Sequence, residues 1–291
     1  MKEENFSKKS GELIFIERTY TIINSDVNRT FRNGVVMLKT VLEVCAGSYE
    51  DAWNAQVSGA SRIELNSALY MGGLTPSLGT LLLTKKVVSV PVIAMVRPRG
   101  GGFHYSDKEK EVMWKDAEIM LEHDADGIAF GFLDNDGDID VHASKSMINL
   151  IHSYGKEAVY HRAFDCVKDP FVSMELLISL GVDRVLTSGL EATAFEGKRM
   201  LKKLQFQYGD QIEILAGSGI HSDNVIDLME YTGICQIHSS CKGWKYDGTA
   251  IKNHVSYAYA LEKHACEYDV VDPSVVQKLA ETIHLWEHSH E

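Results

Sequence analysis

Short apolar runs recur eight times along the chain from residue 40 onward, each followed by polar or glycine residues and then by a stretch with helical character. The runs are rich in Val, Ile, Leu and Phe, which is typical of strands that are buried on both faces. They lie at Val41–Ala46, Arg62–Asn66, Val92–Arg97, Gly127–Leu133, Ala158–Phe164, Arg184–Ser188, Ile212–Ala216 and Cys235–Ser239. Strictly alternating strands and helices predict a parallel sheet with right-handed crossovers.

The number of repeats separates two kinds of parallel sheet. An open doubly wound sheet fits about five or six strand–helix units, whereas eight units within about 200 residues fit a closed barrel better. No G-x-G-x-x-G motif follows the first predicted strand, which disfavours a dinucleotide-binding fold. We therefore predict an α/β fold, a single (β/α)8 TIM-type barrel with parallel strands.

Helix boundaries are marked by side chains that can satisfy free backbone groups. Ser106 and Glu109 have the spacing of a capping box, and Asp169-Pro170 predicts the start of a helix that Gly181 ends. Thr75-Pro76 predicts another helix start, with threonine as the N-cap and proline at the first helical position.

The segments outside the repeat set the domain boundaries. Residues 1–36 show no convincing periodicity, so we expect a poorly structured N-terminal extension that is dispensable for folding. Residues 37–291 are expected to form the barrel, with an extra C-terminal helix, Asp272–His288, beyond the last barrel helix. No low-complexity linker marks a second domain.

Net charge and cysteine content narrow the function classes. The formal charge of −12 is not offset by any Lys/Arg-rich block, so no nucleic-acid partner is expected. No apolar run of about 18 residues predicts a membrane span, and the N-terminus lacks the long apolar region of a secretory signal. Five cysteines without a C-x-x-C spacing suit a reducing compartment, and we expect a cytoplasmic protein.

Polar and charged residues gather where the predicted strands end. Functional side chains of such barrels lie at the carboxyl ends of the strands and in the loops after them. The candidates for acid/base catalysis at these ends are Glu43, Glu64, His161 and Asp165. Glu64 should point into the barrel lumen, where a charged carboxylate needs a partner. We expect Arg97 and His161 to supply it, so that these three side chains share one site.

A second set of candidates points to a small anionic substrate. Arg97-Pro98-Arg99 precedes three glycines, so two guanidinium groups could hold carboxylate or phosphate oxygens close to the backbone. Gly217 and Gly219 resemble the anion-binding turn often found after the seventh and eighth strands. The predicted substrate-binding residues are Arg97, Arg99, Arg162, Thr187, Ser188, Gly217, Gly219 and His238.

Seven segments together resemble the CutC family of copper homeostasis proteins. They are LEVCAGSYEDA, GASRIELNSALYMGGLTPSLG, PVIAMVRPRGGGFHYSD, ADGIAFGFL, HRAFD, GVDRVLTSG and GSGIHSDNV, and they run in order from about Leu42 to about Ser240. The resemblance implies a TIM-type barrel, a cytoplasmic location, an association with copper tolerance and assembly into homo-oligomers.

One departure from the family pattern bears on copper. Cys45 matches the cysteine that ends the first strand, but Asn66 stands where the family commonly has a second cysteine. A pair of thiols is the natural soft site for Cu(I). If this chain binds Cu(I), we predict Cys45 and Cys241 as its thiol ligands, because the loop after the last strand lies beside the end of the first strand in a closed barrel. An imidazole, His238, could lie near them.

The sequence leaves three functions open. The first is copper homeostasis of the CutC type, with copper as the ligand. The second is a barrel enzyme that uses carboxylate and histidine groups on a small anionic substrate, and the third is a scaffold that has lost its activity. No lysine lies inside the predicted strands and no His-x-His follows the first one, which disfavours a Schiff-base aldolase and a binuclear zinc hydrolase. No organic cofactor is indicated.

Overall fold

The structure is a computed structural model that describes residues 29–32 and 35–289, with side chains from residue 39 onward. It separates into two units, one ending at Lys39 and one starting at Thr40. The first unit contains two antiparallel strands, β1 (Arg29–Arg32) and β2 (Val35–Leu38). Most of the predicted 1–36 extension lies outside the described residues.

The second unit is a closed barrel of eight parallel strands, which confirms the predicted fold class. Its strands follow the chain order, and the last strand closes the barrel against the first. They are β3 (Val41–Ala46), β4 (Arg62–Leu65), β5 (Val92–Met95), β6 (Gly127–Phe130), β7 (Glu157–Tyr160), β8 (Arg184–Thr187), β9 (Glu213–Gly217) and β10 (Gln236–Ser239).

One helix lies between each strand and the next, and an eighth follows the last strand. They are α1 (Tyr49–Val57), α2 (Leu78–Val87), α3 (Asp107–Glu122), α4 (Val141–Ser153), α5 (Pro170–Leu180), α6 (Lys198–Tyr208), α7 (Val225–Thr232) and α8 (Pro273–Ser289). No helix within the described ranges is both long and apolar enough to cross a membrane.

The helix caps confirm two of the three predicted boundaries. Ser106 and Glu109 form the capping box of α3, and Asp169 caps α5, which ends at Gly181 in the left-handed conformation. The prediction for Thr75-Pro76 was wrong by two residues, because Ser77 caps α2. The hydroxyl of Thr75 instead bonds the backbone N–H and carbonyl of Arg97, at the carboxyl end of the neighbouring strand.

The segment between β10 and α8 differs from the expectation of an additional helix. It forms short antiparallel pairs, β11 (Lys242–Tyr246) with β14 (Glu267–Val271) and β12 (Ile251–Lys252) with β13 (Val255–Ser256). Aromatic and β-branched residues favour strand over helix in this segment. As a result, α8 is itself the eighth barrel helix, and it buries Val276, Leu279 and Ile283.

One apolar layer surrounds the barrel, and the lumen contains an apolar cluster and a polar region. Outward-facing strand residues such as Val44 and Ile63 pack under the helices in one continuous core. Four other residues, Ile93, Met95, Ala129 and Val159, form a separate apolar cluster on β5, β6 and β7. Charged residues of β3, β4, β8 and β10 are also buried, so the lumen is apolar on one side and polar on the other.

Candidate functional site

Three adjacent strands bring a thiol, a carboxylate and an imidazole together. The register pairs Cys45 of β3 with Glu64 of β4, and His238 of β10 with Glu43 of β3. Cys45, Glu64 and His238 each offer one metal-binding atom, and these atoms all lie within 4.8 Å of one another. Glu64 and His238 are buried, while the Cys45 residue remains partly exposed. This cluster is the candidate metal site.

Glu43 orients the imidazole of this cluster. Its carboxylate accepts a hydrogen bond from His238 Nδ1 at 2.8 Å and also pairs with Arg62. Arg62 in turn donates to Gln236 at 2.7 Å. Because Nδ1 is engaged, Nε2 is the nitrogen that faces the cluster, 4.0 Å from the Glu64 carboxylate. A carboxylate that fixes the far nitrogen of a histidine is a common support for a metal ligand.

Burial and the neighbouring charges shift the pKa values of Glu43, Glu64 and His238. Burial alone would raise the pKa of Glu43, but Arg62 and His238 lower it below its ordinary value. Burial raises the pKa of Glu64, with His238 opposing the shift and Glu43 adding to it. Burial alone would lower the pKa of His238, but the charges of Glu64 and Glu43 raise it above its ordinary value.

The thiol of Cys45 keeps its proton at neutral pH. Burial raises the pKa of this thiol well above its ordinary value, and the charge of Glu64 adds to the shift. The thiolate is the form that binds metal. A metal ion at this site therefore has to displace at least the proton of Cys45.

Asn66 completes the cluster from the end of β4. Its amide Nδ2 donates to the Glu64 carboxylate at 2.8 Å and lies 3.3 Å from the Cys45 sulfur. The position at which the family commonly has a second cysteine thus adjoins Cys45 directly. In this chain that position supplies a hydrogen-bond donor in place of a second sulfur.

The prediction that Cys241 joins Cys45 was wrong. Cys241 is buried in the apolar core outside the lumen, and its sulfur contacts Ser239 at 3.6 Å. Side chains alternate along β10, so His238 faces the lumen while Ser239 faces the surrounding core. The Cys241 side chain lies on the same face of the barrel wall as Ser239, in the surrounding core. Closure of the barrel brings the backbones of β10 and β3 together, but it leaves this side chain on the other face.

Arg97 and His161 form a second group, with contacts different from those expected. Glu64 has Asn66 and His238 as its partners, so Arg97 and His161 do not supply its ion pair. Arg97 instead donates to the carbonyls of Met71, Gly73 and Gly101 at 2.6–3.1 Å. A Cβ on Gly73 would lie 2.4 Å from the Asn66 amide oxygen. Gly73 is therefore in close contact with both groups of residues.

Arg99 does not form a clamp with Arg97. Its guanidinium pairs with Glu109 and donates to the carbonyls of Gly100, Gly102 and His104. These bonds stabilise the glycine-rich loop after β5 and connect it to the first turn of α3. The two arginines thus hold backbone, and the pair of free guanidinium groups expected for an anion clamp is not formed.

The predicted residues of β7 and β8 form a polar network of their own. Asp165 accepts from the Thr187 hydroxyl at 2.5 Å and from the Ser188 backbone N–H at 3.0 Å. Arg162 donates to Asp165 at 2.7 Å and to the Ser188 hydroxyl at 2.8 Å. Asp165 bonds the other three, and these contacts indicate that the network ties the end of β8 to the turn after β7.

The glycines after β9 have packing reasons for being glycine. A Cβ on Gly217 would lie 2.6 Å from Leu186 and 3.3 Å from the Cβ of His238. Gly219 has a φ of +69° in the turn that follows. Gly217 therefore leaves space for the side chain of His238, which is a role that the glycine pattern alone does not reveal.

The sequence analysis missed three residues that shape the two groups. Arg62 pairs with Glu43 and donates a hydrogen bond to Gln236, next to the candidate metal site. Phe103 lies against both Arg97 and His161. Alternation along the β4 run Arg62–Asn66 places Arg62 on the same face as Glu64, so that pattern could have identified Arg62. Phe103 lies in a loop, where no period indicates the direction of a side chain.

Comparison with known proteins gives relatives over most of the chain. A sequence model of the CutC family matches residues 40–243. A family protein CutC of Treponema denticola is 50% identical over 221 residues, which is 76% of this chain and 89% of the relative. The copper homeostasis protein cutC homolog of Mus musculus is 40% identical over 240 residues, or 82% of this chain and 88% of the relative.

Solved structures agree with this assignment. The structure assigned to copper homeostasis protein CutC of Streptococcus agalactiae has a TM-score of 0.66 at 30% identity and covers 69% of this chain and 98% of its own. Deoxyribose phosphate aldolase from Aeropyrum pernix, at 18% identity and a TM-score of 0.52, covers 68% of this chain and 85% of its own and shares the fold alone. The chain therefore belongs to the CutC family of copper homeostasis proteins.

Proposed function

We propose that this protein binds one copper ion, as Cu(I), between the Cys45 sulfur and His238 Nε2 at the carboxyl end of the barrel. The observation that carries the proposal is the Cys45, Glu64 and His238 cluster, whose donor atoms lie within 4.8 Å of one another. Thiolate is a soft ligand and imidazole suits copper, and Cu(I) accepts low coordination numbers. Glu64 lies beside the two ligands, and one of its carboxylate oxygens can serve as a third donor atom.

Charge balance favours Cu(I) over Cu(II) in this cluster. When Cu(I) replaces the proton of Cys45, the total charge of the buried groups stays the same. A Cu(II) ion would add one positive charge to a region that already contains the Arg62 guanidinium. Uncompensated charge is costly in a buried site. The family's link to copper homeostasis indicates copper as the metal, and the donor set favours Cu(I) over Cu(II).

The test is a Cu(I) titration against a chromogenic chelator, with four proteins compared. The wild type should take up one Cu(I) per chain. Cys45→Ser and His238→Gln should each lose most of this affinity, since each removes one of two ligands. Cys241→Ser is the matched control, because its sulfur lies outside the cluster, and it should bind as the wild type does.

Two results would contradict the copper site. One is a wild type that takes no copper from the chelator, and the other is a Cys45→Ser variant with unchanged affinity. Circular dichroism of each variant separates a lost ligand from a lost fold. Equal losses in Cys45→Ser and Cys241→Ser would instead support the thiol pair that the sequence predicted.

The proposed location is the cytoplasm, where Cu(I) and thiols both persist. All five cysteines are free, and a reducing compartment keeps them so. Cell fractionation with a tagged chain tests this proposal. Recovery in a membrane or an extracellular fraction would contradict it.

We also propose that the protein self-associates, as the family resemblance implies. Exposed apolar side chains support this proposal. The segment between β10 and α8 exposes Tyr246, Tyr257 and Leu261, each with more than two thirds of its surface accessible. Exposed apolar side chains that lie together often mark protein interfaces, and we propose that these three residues contribute to one. We expect light scattering after gel filtration to give a mass above the 32.5 kDa of one chain. A monomer at micromolar concentration would contradict this expectation.

A further inference from the structure

Arg97 is a buried cation without a counter-ion. Only 5% of the residue is exposed. The two terminal nitrogens of its guanidinium donate three hydrogen bonds to backbone, to the carbonyls of Met71, Gly73 and Gly101. Among residues 39–289, no carboxylate oxygen lies within the 4 Å of an ion pair from its guanidinium, and Arg97 Nε has no hydrogen-bond partner. A buried, unpaired charge is strongly unfavourable, so the protein keeps Arg97 at a cost.

His161 presents a second unused donor beside Arg97. The residue is 3% exposed, and its Nδ1 accepts a hydrogen bond from the Ala163 N–H at 3.1 Å. Burial and the nearby charge of Arg97 lower the pKa of His161 to about 3, so the ring is neutral at physiological pH. A neutral ring that accepts at Nδ1 has its proton on Nε2. That N–H is buried and has no partner in the described part of the chain.

Phe103 covers both donors. Its ring centroid lies 5.1 Å from the Arg97 guanidinium carbon and 5.1 Å from the centre of the His161 ring. The residue is partly exposed, whereas Arg97 and His161 are both buried. Phe103 follows three consecutive glycines, of which Gly101 has a φ of +89°. The glycines before Phe103 carry no side chains that would crowd its ring.

We propose that Arg97 and His161 form a binding site for a small carboxylate, and that Phe103 closes this site. One carboxylate oxygen accepts from Arg97 Nε–H and the other from His161 Nε2–H, and the negative charge neutralises the guanidinium. Two donors match the two oxygens of a carboxylate, whereas a phosphate dianion offers more acceptors than this pair can satisfy. The site is separate from the copper ligands and does not depend on them.

The surface beside Phe103 provides space for the ring when the site opens. A cavity of about 290 Å³ is lined by Phe103 together with Gly102, His104, Leu133 and Cys166. The backbone of Phe103 is fixed, because its carbonyl accepts from the Leu133 N–H at 2.9 Å. Opening therefore requires rotation of the side chain into this cavity, without movement of the whole loop.

Acetate is the probe, and the imidazole nitrogens of histidine-labelled protein are the readout. At constant ionic strength, acetate should shift the Nε2 resonance of His161 in a saturable way. Phe103→Ala removes the cover and should bind acetate roughly tenfold more tightly or exchange it faster. In the His161→Gln variant, acetate binding is measured by broadening of the acetate resonance. Its affinity for acetate should fall roughly tenfold, as expected for loss of a hydrogen bond to a charged group. Arg199→Gln removes an exposed arginine of α6 and serves as the control with unchanged binding.

Three outcomes would overturn the carboxylate site. One is a His161 resonance that acetate does not move in either the wild type or Phe103→Ala, which would leave the two donors to water. Another is equal acetate binding in the wild type and a folded His161→Gln variant. The third is saturation by chloride as readily as by acetate, which would show a site for any anion. Because none of these measurements contains copper, their failure leaves the copper proposal unaffected.

Discussion

At the scale of single residues, Asn66 stands at the end of β4 where the family resemblance implies a second cysteine. Its Nδ2 lies 3.3 Å from the Cys45 sulfur and 2.8 Å from the Glu64 carboxylate. The amide therefore occupies the place where a second thiolate would meet the metal. In the copper site that we propose, His238 supplies the second ligand, which a thiol would provide more strongly.

Replacement of Asn66 by cysteine should strengthen Cu(I) binding. The new sulfur would lie beside Cys45, and two thiolates form a softer site than one thiolate and one imidazole. We expect the affinity to rise roughly tenfold or more, which corresponds to about 1.4 kcal/mol or more of binding free energy. Chelator competition measures the change, and Asn66→Ser is the matched control, similar in size but without a sulfur. Equal affinity of the cysteine and serine variants would show that position 66 does not reach the metal.

The buried His161 should make the protein sensitive to acid. Its pKa is about 3 in the folded protein because of burial and Arg97, and about 6.5 in the unfolded chain. Between these two values the unfolded chain binds more protons than the folded one. The stability that His161 contributes is therefore complete above about pH 6.5 and is lost as the pH falls towards about 3.

Urea unfolding at several pH values measures this effect. The wild type should lose up to about 1.4 kcal/mol of unfolding free energy per pH unit through this window because of His161. His161→Gln keeps an acceptor for the Ala163 N–H and does not titrate, so its free energy of unfolding should fall less steeply. Parallel curves for the two proteins would show that His161 does not control the acid limit.

The sequence placed Glu43, Cys45, Glu64 and His238 at strand ends, but it did not predict that these four side chains contact one another. Which of them meet depends on the register between β10, β3 and β4, and the strand pattern does not fix this register. Cys241 shows the limit most clearly. Its position in the chain indicated the neighbourhood of Cys45, but the direction of its side chain was decided by packing.

At the scale of elements, the strands were more predictable than the segments that join them. Strands buried under helices keep a mostly apolar outer face, so their positions agree with the sequence to within a few residues. Residues 242–271 were less predictable, because an insertion after the last strand is under no such constraint. The contacts of Arg99 were also not predictable, because its ion-pair partner Glu109 belongs to the next helix. Contacts between a loop and a helix leave no period in the sequence.

The glycine-rich loop after β5 links the two proposed sites to the helices. Arg97 donates to Gly101 from below, and Arg99 donates to Gly100 and Gly102 from its outer side. Ser106 and Glu109 then start α3 immediately after the loop. The backbone of the loop is therefore held by the two arginine side chains, so opening of the site is a rotation of the Phe103 side chain. This arrangement allows Phe103 to move without loss of the barrel.

At the scale of the whole molecule, the barrel has a polar side for chemistry and an apolar side for stability. Ile93, Met95, Ala129 and Val159 fill the lumen beside β5, β6 and β7. On the other side, Arg62 pairs with Glu43, and Arg184 pairs with Glu157 and Glu213. The ion pairs satisfy buried charges around the copper cluster, while the apolar group keeps that half of the barrel close-packed. The proposed copper site thus lies in the half of the lumen where charges already have partners.

The last prediction concerns the domain boundary. We propose that residues 1–36 are dispensable for folding, because the family match begins at residue 40 and the described apolar core begins at Leu42. Within the barrel unit, the Thr40 N–H donates to Glu287 of α8 at 2.7 Å, a contact that a chain starting at Met37 retains. Thermal unfolding of the full chain and of residues 37–291 should give midpoints within about 2 °C of each other. A fall of several degrees, equivalent to about 1–2 kcal/mol for a protein of this size, would show that the N-terminal segment stabilises the barrel and that the boundary lies further upstream.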